Sequence, residues 1–190
     1  MEAIKKQEAK RQMFHAGIGI AIVIILYLNV FPIWLFFLTT ITAVVLYTVW
    51  EKKANPVFEW FFRNFERKHE AAGWGALWYC VGSFLTVVIF PRDIALAAIL
   101  ILALGDSIST YTGRFYGKIP HFLNKKKMIE GTVAGIVFAT LGAWVFVPLF
   151  PAFVASFIAM NIEAIHWKKY ELNDNLLLPL LAGLVLWLII

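Results

Sequence analysis

The 190-residue chain holds a single cysteine, Cys80. No intrachain disulfide can form, and Cys80 falls inside an apolar stretch where a small thiol packs as a core residue. The glycine signatures of soluble nucleotide enzymes are also missing: there is no Walker A loop, no Gly-x-Gly-x-x-Gly and no Gly-x-Ser-x-Gly. The four histidines, His15, His69, His121 and His166, show no zinc-ligand spacing and have no cysteine partners, which excludes a structural zinc site. Linkers, internal repeats and low-complexity tracts are absent, so residues 1–190 read as a single transmembrane catalytic domain.

What the chain has in excess is apolar surface. Hydrophobic residues make up 61% of it and its mean hydropathy is +0.76, against roughly half apolar in soluble domains. Crossing a bilayer core takes about 20 mostly apolar residues. Seven such stretches are predicted, at 16–31, 32–50, 74–90, 94–116, 131–148, 152–166 and 176–190. The expected fold class is an all-α integral membrane protein of about seven transmembrane helices, a multi-pass protein of the cell membrane. The first stretch is too long for the apolar core of a signal peptide and no small-residue cleavage site follows it, so it is expected to stay.

These spans sort the charges. Lys5, Lys6, Lys10 and Arg11 precede the first; Lys52, Lys53, Arg63, Arg67 and Lys68 lie between the second and third. Arg114, Lys118, Lys125, Lys126 and Lys127 follow the fourth, and Lys168 and Lys169 the sixth. Sixteen of the seventeen basic residues therefore share one side, with only Arg92 on the other. The positive-inside rule then predicts a cytoplasmic N-terminus and an outer C-terminus. Orientation and attraction to anionic headgroups explain most of this excess; a site for a phosphorylated substrate would need a specific cluster.

The outer connections, Asn29 to Pro32, Pro91 to Asp93 and Pro148 to Pro151, are tight and Pro-marked, whereas the inner ones are longer. That asymmetry points to an active site facing the cytoplasm. In the first inner connection, Asn55 is an N-cap candidate and Pro56 suits a first helical turn. Phe58, Phe61, Phe62 and Phe65 share one face and Glu59, Arg63, Glu66 and Arg67 the other, which predicts an interfacial amphipathic helix over 55–70.

An ionisable group inside a membrane costs about 3 kcal/mol on insertion scales, so Asp106 and Glu163 each ask for a reason. Asp106 lies about 18 Å from the outer end of the fourth span, counted at 1.5 Å per residue, and Glu163 is near the inner end of the sixth. On a helix, Asp106, Ser109, Thr110, Gly113 and Gly117 share a face. Small residues spaced this way also make a packing stripe. A carboxylate, two hydroxyls, close-approach glycines and then Arg114 and Lys118 would suit a phosphate chain with its magnesium ion. Lys125, Lys126 and Lys127 come just before the fifth span, where a helix N-terminus also favours anions. Arg11 and His15 are four apart at the membrane boundary, and Asn173-Asp174-Asn175 reads as an N-cap cluster.

The order of these segments resembles the polyprenol kinase family, which includes dolichol kinase, phytol kinase and CTP-dependent diacylglycerol kinase. More distantly it resembles phosphatidate cytidylyltransferase. The family's opening pattern, Glu-x-x-Arg-Lys-x-x-His, is met by Glu8, Arg11 and His15, with Gln12 in the place of lysine. Its central pattern is met by Gly105, Asp106, Gly113, Gly117, Asn124, Lys126, Lys127, Glu130 and Gly131. A late acidic residue followed by Asp-Asn-Leu is met by Glu163, Asp174, Asn175 and Leu176, with Pro179 in the last helix. The terminal signature of the cytidylyltransferases, His-Gly-Gly before an Arg-Asp pair, is absent.

The resemblance implies transfer of the terminal phosphate of CTP to the hydroxyl of a membrane lipid such as a polyprenol, phytol or diacylglycerol. In that reading Asp106 binds magnesium, Lys126 and Lys127 bind phosphates, and Glu130 takes either the metal or the cytidine end. Glu163 or Asp174 orients or deprotonates the lipid hydroxyl, while Arg11 and His15 close the site and Asn124, Gly131 and Asn175 complete the nucleotide pocket. The expected partners are CTP, a lipid alcohol and the bilayer, with no nucleic acid; a second copy of the chain is an allowed partner. Two other readings are a CDP-lipid synthase and a small transporter or flippase. A transporter calls for polar residues through both halves of the membrane, and the outer half here has almost none.

Overall fold

The computed structural model describes residues 2–30, 33–50, 74–165 and 173–190. The helix expected over 55–70 and the basic residues of 52–68 and 168–169 lie outside the described residues. Among the described residues there are seven helices: α1 (Glu2–Tyr27), α2 (Ile33–Trp50), α3 (Trp74–Ile89), α4 (Arg92–Tyr116), α5 (Ile129–Ala143), α6 (Leu149–Glu163) and α7 (Asp174–Ile189). They lie close to the apolar stretches of the sequence. Helix α1 differs, since it starts at Glu2 instead of near residue 16. The intervening Glu, Lys, Ala, Gln and Arg residues are strong helix formers and extend it into polar surroundings.

Two helices, Lys5–Tyr27 and Arg92–Tyr116, are long and apolar enough by length and composition to cross a membrane; α3, α5, α6 and α7 are shorter apolar helices. Their outward faces are apolar as well. Val133, Val137 and Leu141 on α5, Phe153 and Phe157 on α6, and Leu184, Trp187 and Leu188 on α7 are all exposed. An apolar exterior of this extent, at helical spacing, is unlike the polar outer face of a water-soluble helix.

Helix α4 is the central element, packed by α1, α3, α5, α6 and α7. Ala97, Ala98, Ile99, Ile101, Leu102 and Ala103 are fully buried, and Ala139, Ala152, Ala155, Ala159 and Ala182 from surrounding helices join them. Alanine at these contacts lets helix axes approach closely, the mode of packing that replaces the hydrophobic drive in lipid. The contact between α4 and α5 is tighter still: a Cβ on Gly131 would lie 2.5 Å from the Ser109 carbonyl oxygen and 2.8 Å from the Gly113 Cα. Helix α2 packs on α3, with Phe37 and Phe84 ring centroids 5.3 Å apart.

Midway along α4, residues Ile101–Asp106 form a π-helical segment that returns to α-helix at Ser107. The wider turn inserts one residue and shifts the faces of the helix on either side of it. Such segments are rare and concentrate at functional sites. This one ends on Asp106.

Among the described residues, which are mostly helical, the all-α expectation fails between α4 and α5. There the chain forms an antiparallel hairpin, β1 (Pro120–His121) and β2 (Asn124–Met128), so the lysine run stands on a strand. Gly117 leaves α4 in an extended conformation, and Pro120, which carries no N–H, cannot resume the helix. The Asn124 side chain accepts a hydrogen bond from the Lys126 amide at 3.0 Å, a local turn that competes with helix.

Arg92, the basic residue that the sequence sets apart from the others, has a structural task. Arg92 Nη2 donates to the carbonyls of Leu26 and Tyr27, satisfying the open C-terminus of α1. Asn29 closes the same end with a left-handed φ of 51°. In α7, Pro179 offers no N–H to the Asn175 carbonyl one turn earlier. Helix α3 fills that place, because Gly82 sits so near that a Cβ there would be 2.3 Å from the Asn175 oxygen.

Candidate active site

Polar side chains from four helices and the hairpin converge at one end of α4. His15 Nε2 of α1 lies 3.4 Å from Asp106 Oδ2, and Thr110 Oγ1 donates to Asp106 Oδ1 at 3.4 Å. Ser109 Oγ donates to the Asp106 carbonyl at 3.2 Å and to Glu163 Oε2 at 3.1 Å, so one hydroxyl bridges α4 and α6. The other oxygen of Glu163, Oε1, pairs with Lys127 Nζ from β2. Asp174, at the start of α7, is within electrostatic reach of both Lys127 and Glu163.

Burial makes this arrangement consequential. The Glu163 side chain is only 1% exposed, and a buried carboxylate is stable only when paired and hydrogen-bonded. Lys127 and Ser109 supply that pairing. Burial pulls the Lys127 pKa down, but the Glu163, Asp106 and Asp174 carboxylates outweigh it and hold the ammonium above the ordinary lysine value. Among the described residues, Lys127 is thus the ammonium on which Glu163, Asp106 and Asp174 all act.

A second polar cluster joins α1 to the end of α4. Glu8, 6% exposed, accepts from Gln12 Nε2 at 2.7 Å and ion-pairs with both Arg11 and Arg114. Gln12, which stands where the resembled pattern has lysine, therefore donates to the same carboxylate as Arg11. A lysine there would change a neutral donor into a third cation on Glu8.

Not every expected site residue falls in the cluster. Gly113, Gly117 and Gly131 serve helix packing: a Cβ on Gly117 would meet Met128 Cβ at 2.3 Å, and Gly113 and Gly131 face one another. These contacts support the small-residue packing stripe at all three positions. The Glu130 carboxylate accepts from the amides of Lys118 and Ile119 at 2.9 and 3.1 Å. It clasps the base of the hairpin instead of pointing at Asp106. Lys126 is exposed, and since side chains alternate along a strand it projects opposite Lys127. Asn124 holds the hairpin turn, and Asn175 Nδ2 donates to the Gly75 carbonyl at 2.9 Å, tying α7 to α3. Lys118 is exposed beside the hairpin base.

Two residues of the arrangement are not among those singled out from the sequence. Tyr79 of α3 is 3% exposed and packs edge-on against the His15 ring, with centroids 4.6 Å apart. A tyrosine within an apolar stretch gives no pattern by which to find it. Glu8 was quoted only as the first letter of a motif, although its spacing of three from Arg11 signals a helical ion pair.

Among the described residues, no three His, Cys, Asp or Glu side chains are grouped so as to hold a metal ion by themselves. Ser109 links the Asp106 backbone carbonyl to the Glu163 carboxylate, and two carboxylates are the donor type that would suit a magnesium ion brought by a polyphosphate, since that ion takes one or two protein carboxylates.

No protein-family model matches the chain, and no solved structure matches it significantly. It is 27% identical over 195 residues to CTP-dependent diacylglycerol kinase 1 of Saccharomyces cerevisiae, covering 96% of this chain and 64% of that protein. The enzyme of the same name from Schizosaccharomyces pombe is 25% identical over 139 residues, 65% of this chain and 64% of the relative. The uncharacterized protein RP860 of Rickettsia prowazekii is 30% identical over 188 residues, 91% of this chain and 90% of that one. This chain spans about three fifths of the length of the curated kinases it matches. It belongs to the polyprenol kinase family of lipid kinases.

Proposed function

We propose that the protein is a CTP-dependent lipid-alcohol kinase, which moves the terminal phosphate of CTP to the hydroxyl of a lipid within the membrane. The observation that carries this reading is the Asp106–Ser109–Glu163–Lys127 cluster, in which acidic groups gather around a partly buried ammonium beside the second half of an apolar helix. Phosphoryl transfer needs charge neutralisation and in-line positioning more than covalent chemistry. The similarity to diacylglycerol kinases that use CTP supports the donor and the acceptor class.

In this mechanism Asp106 and Glu163 would hold a magnesium ion brought with the nucleotide, and the ion would neutralise charge on the transferred phosphoryl group. Lys127, already poised at Glu163, turns its ammonium to the phosphate chain, and Arg11 and Arg114 add positive charge from the Glu8 side. His15, oriented by Asp106 at 3.4 Å, supplies an imidazole able to accept the lipid hydroxyl proton. Asp174 adds negative charge that keeps Lys127 protonated. Glu130 positions the hairpin, and the glycines set the α4–α5 spacing on which the donor geometry depends.

The full topology belongs to the same proposal: seven spans, the N-terminus and the cluster facing the cytoplasm, the C-terminus outside, and the segment 55–70 lying on the inner leaflet. CTP then arrives from water and the alcohol from the leaflet. The decisive experiment incubates purified protein with lipid extract and CTP labelled on its terminal phosphate, beside equally labelled ATP. Label passing from CTP into lipid is expected. If neither nucleotide labels lipid, the kinase reading is wrong.

A further inference from the structure

The hairpin between α4 and α5 ends in an apolar tip. Phe122 is 77% exposed, Ile119 58% and Leu123 47%. Three exposed lysines, Lys118, Lys125 and Lys126, flank these residues. The tip is not a loose loop that happens to expose its side chains. His121 is buried beneath it, its ring stacks on Phe122 with centroids 4.5 Å apart, and its Nδ1 accepts from the Leu123 amide at 3.2 Å. The base is closed by Glu130 on the Lys118 and Ile119 amides and by the Ile129 amide on the Ile119 carbonyl at 2.9 Å. A braced hairpin thus holds a phenyl ring outward with one face on His121 and most of its surface exposed.

We propose that this hairpin is a membrane-seated finger: Ile119, Phe122 and Leu123 enter the headgroup region of an anionic leaflet while Lys118, Lys125 and Lys126 engage lipid phosphates. Apolar side chains framed by cations are the combination that an acidic bilayer surface accepts, since burial and headgroup attraction act together. The leaflet is also the surface nearest to hand. The hairpin joins two apolar helices, and α4 reaches it through the aromatic pair Phe115 and Tyr116, with the Lys5 ammonium 5.1 Å from the Tyr116 ring centroid. Aromatic rings beside lysine at a helix end mark a membrane interface. Because β2 also carries Lys127, seating the tip steadies the ammonium that pairs with Glu163.

The proposal rests on the membrane reading above and not on the kinase activity, so its test is made without turnover. The full chain carrying Cys80→Ala and Phe122→Cys is labelled at position 122 with an environment-sensitive fluorophore and placed in nanodiscs, one copy per disc. Discs of phosphatidylcholine alone are compared with discs that also contain phosphatidylglycerol. Quenching by nitroxides on the upper acyl chain, protection from iodide, and an increase of both with the anionic lipid are expected. Lys125→Gln is expected to reduce the anionic-lipid dependence. Full quenching by iodide with none from lipid nitroxides puts the tip in water and overturns the proposal. Protection from both quenchers, or a signal seen only in discs with two copies, means that protein covers the tip and overturns it equally. The absence of any anionic-lipid effect removes the role of the lysines. A chain that will not enter nanodiscs refutes the membrane reading instead.

Discussion

Lys127, carried on a strand outside the helices, ion-pairs with Glu163, whose side chain is 1% exposed at the end of α6. The sequence separates them by 36 residues, and the pair ties the hairpin to α6, beside the Glu130 clasp that ties it to α5.

Removing Lys127 should strand a buried carboxylate. For Lys127→Met the loss is expected near 3 kcal/mol, the low end for breaking a buried pair because the lysine side chain is a third exposed. Lys127→Met combined with Glu163→Gln should regain much of it. Melting temperatures of the two single variants and the double variant in one detergent give the coupling, and additive losses would contradict the pairing.

Asp106→Asn keeps the shape of the side chain and removes its charge. Phosphoryl transfer is expected to fall at least about 100-fold, the size typical of losing one preformed electrostatic contact to the reacting group. Near-normal transfer by the folded variant would end the role of Asp106 as a metal ligand.

Tyr79 separates ring from hydroxyl. Its Oη is buried with no hydrogen-bond partner among the described residues, so Tyr79→Phe should melt no lower than the parent. Tyr79→Leu removes the edge-on support of His15, a contact worth about 1 kcal/mol. It is expected to lower kcat with little change in the KM for CTP. Equal damage from both substitutions would shift the importance of Tyr79 to its hydroxyl.

Glycines offer a contrast of position. Gly131→Ala drives a methyl group to 2.5 Å from the Ser109 carbonyl and 2.8 Å from the Gly113 Cα, so α4 and α5 must part, at about 1–3 kcal/mol for overpacking. Gly17→Ala, with nothing within 4 Å of the new methyl, should cost nothing. Thermal melts of the pair decide whether close packing or glycine itself is required.

The helices were legible in the sequence because continuous apolar runs bounded by Pro, Asn and charge leave few alternatives. Asp106 and Glu163 were legible for the opposite reason, as carboxylates with no apolar excuse. The hairpin was not, because Asn124-Lys-Lys-Lys-Met128 has neither apolar alternation nor β-branched residues, and its strand is held by pairing with β1 and by Lys127 on Glu163, 36 residues further along the chain. Glu130, Gly113, Gly117 and Gly131 sit at motif positions, yet motif spacing does not separate a group that touches ligand from one that spaces two helices. Tyr79 could only be found once α3 was seen beside α1.

The π-helical segment at Ile101–Asp106 gives α4 two phases in one rod. Above it, residues from Ile94 to Leu100 are buried on every side; below it, Ser109 and Thr110 turn toward a carboxylate. A helical wheel drawn through the whole of α4 therefore mixes two unrelated faces. Cutting a single residue from the segment would leave both halves helical and well packed in themselves, but rotated by about 100° against one another. The position of Asp106 among its partners thus depends on the count of residues between 101 and 105 as much as on their identity.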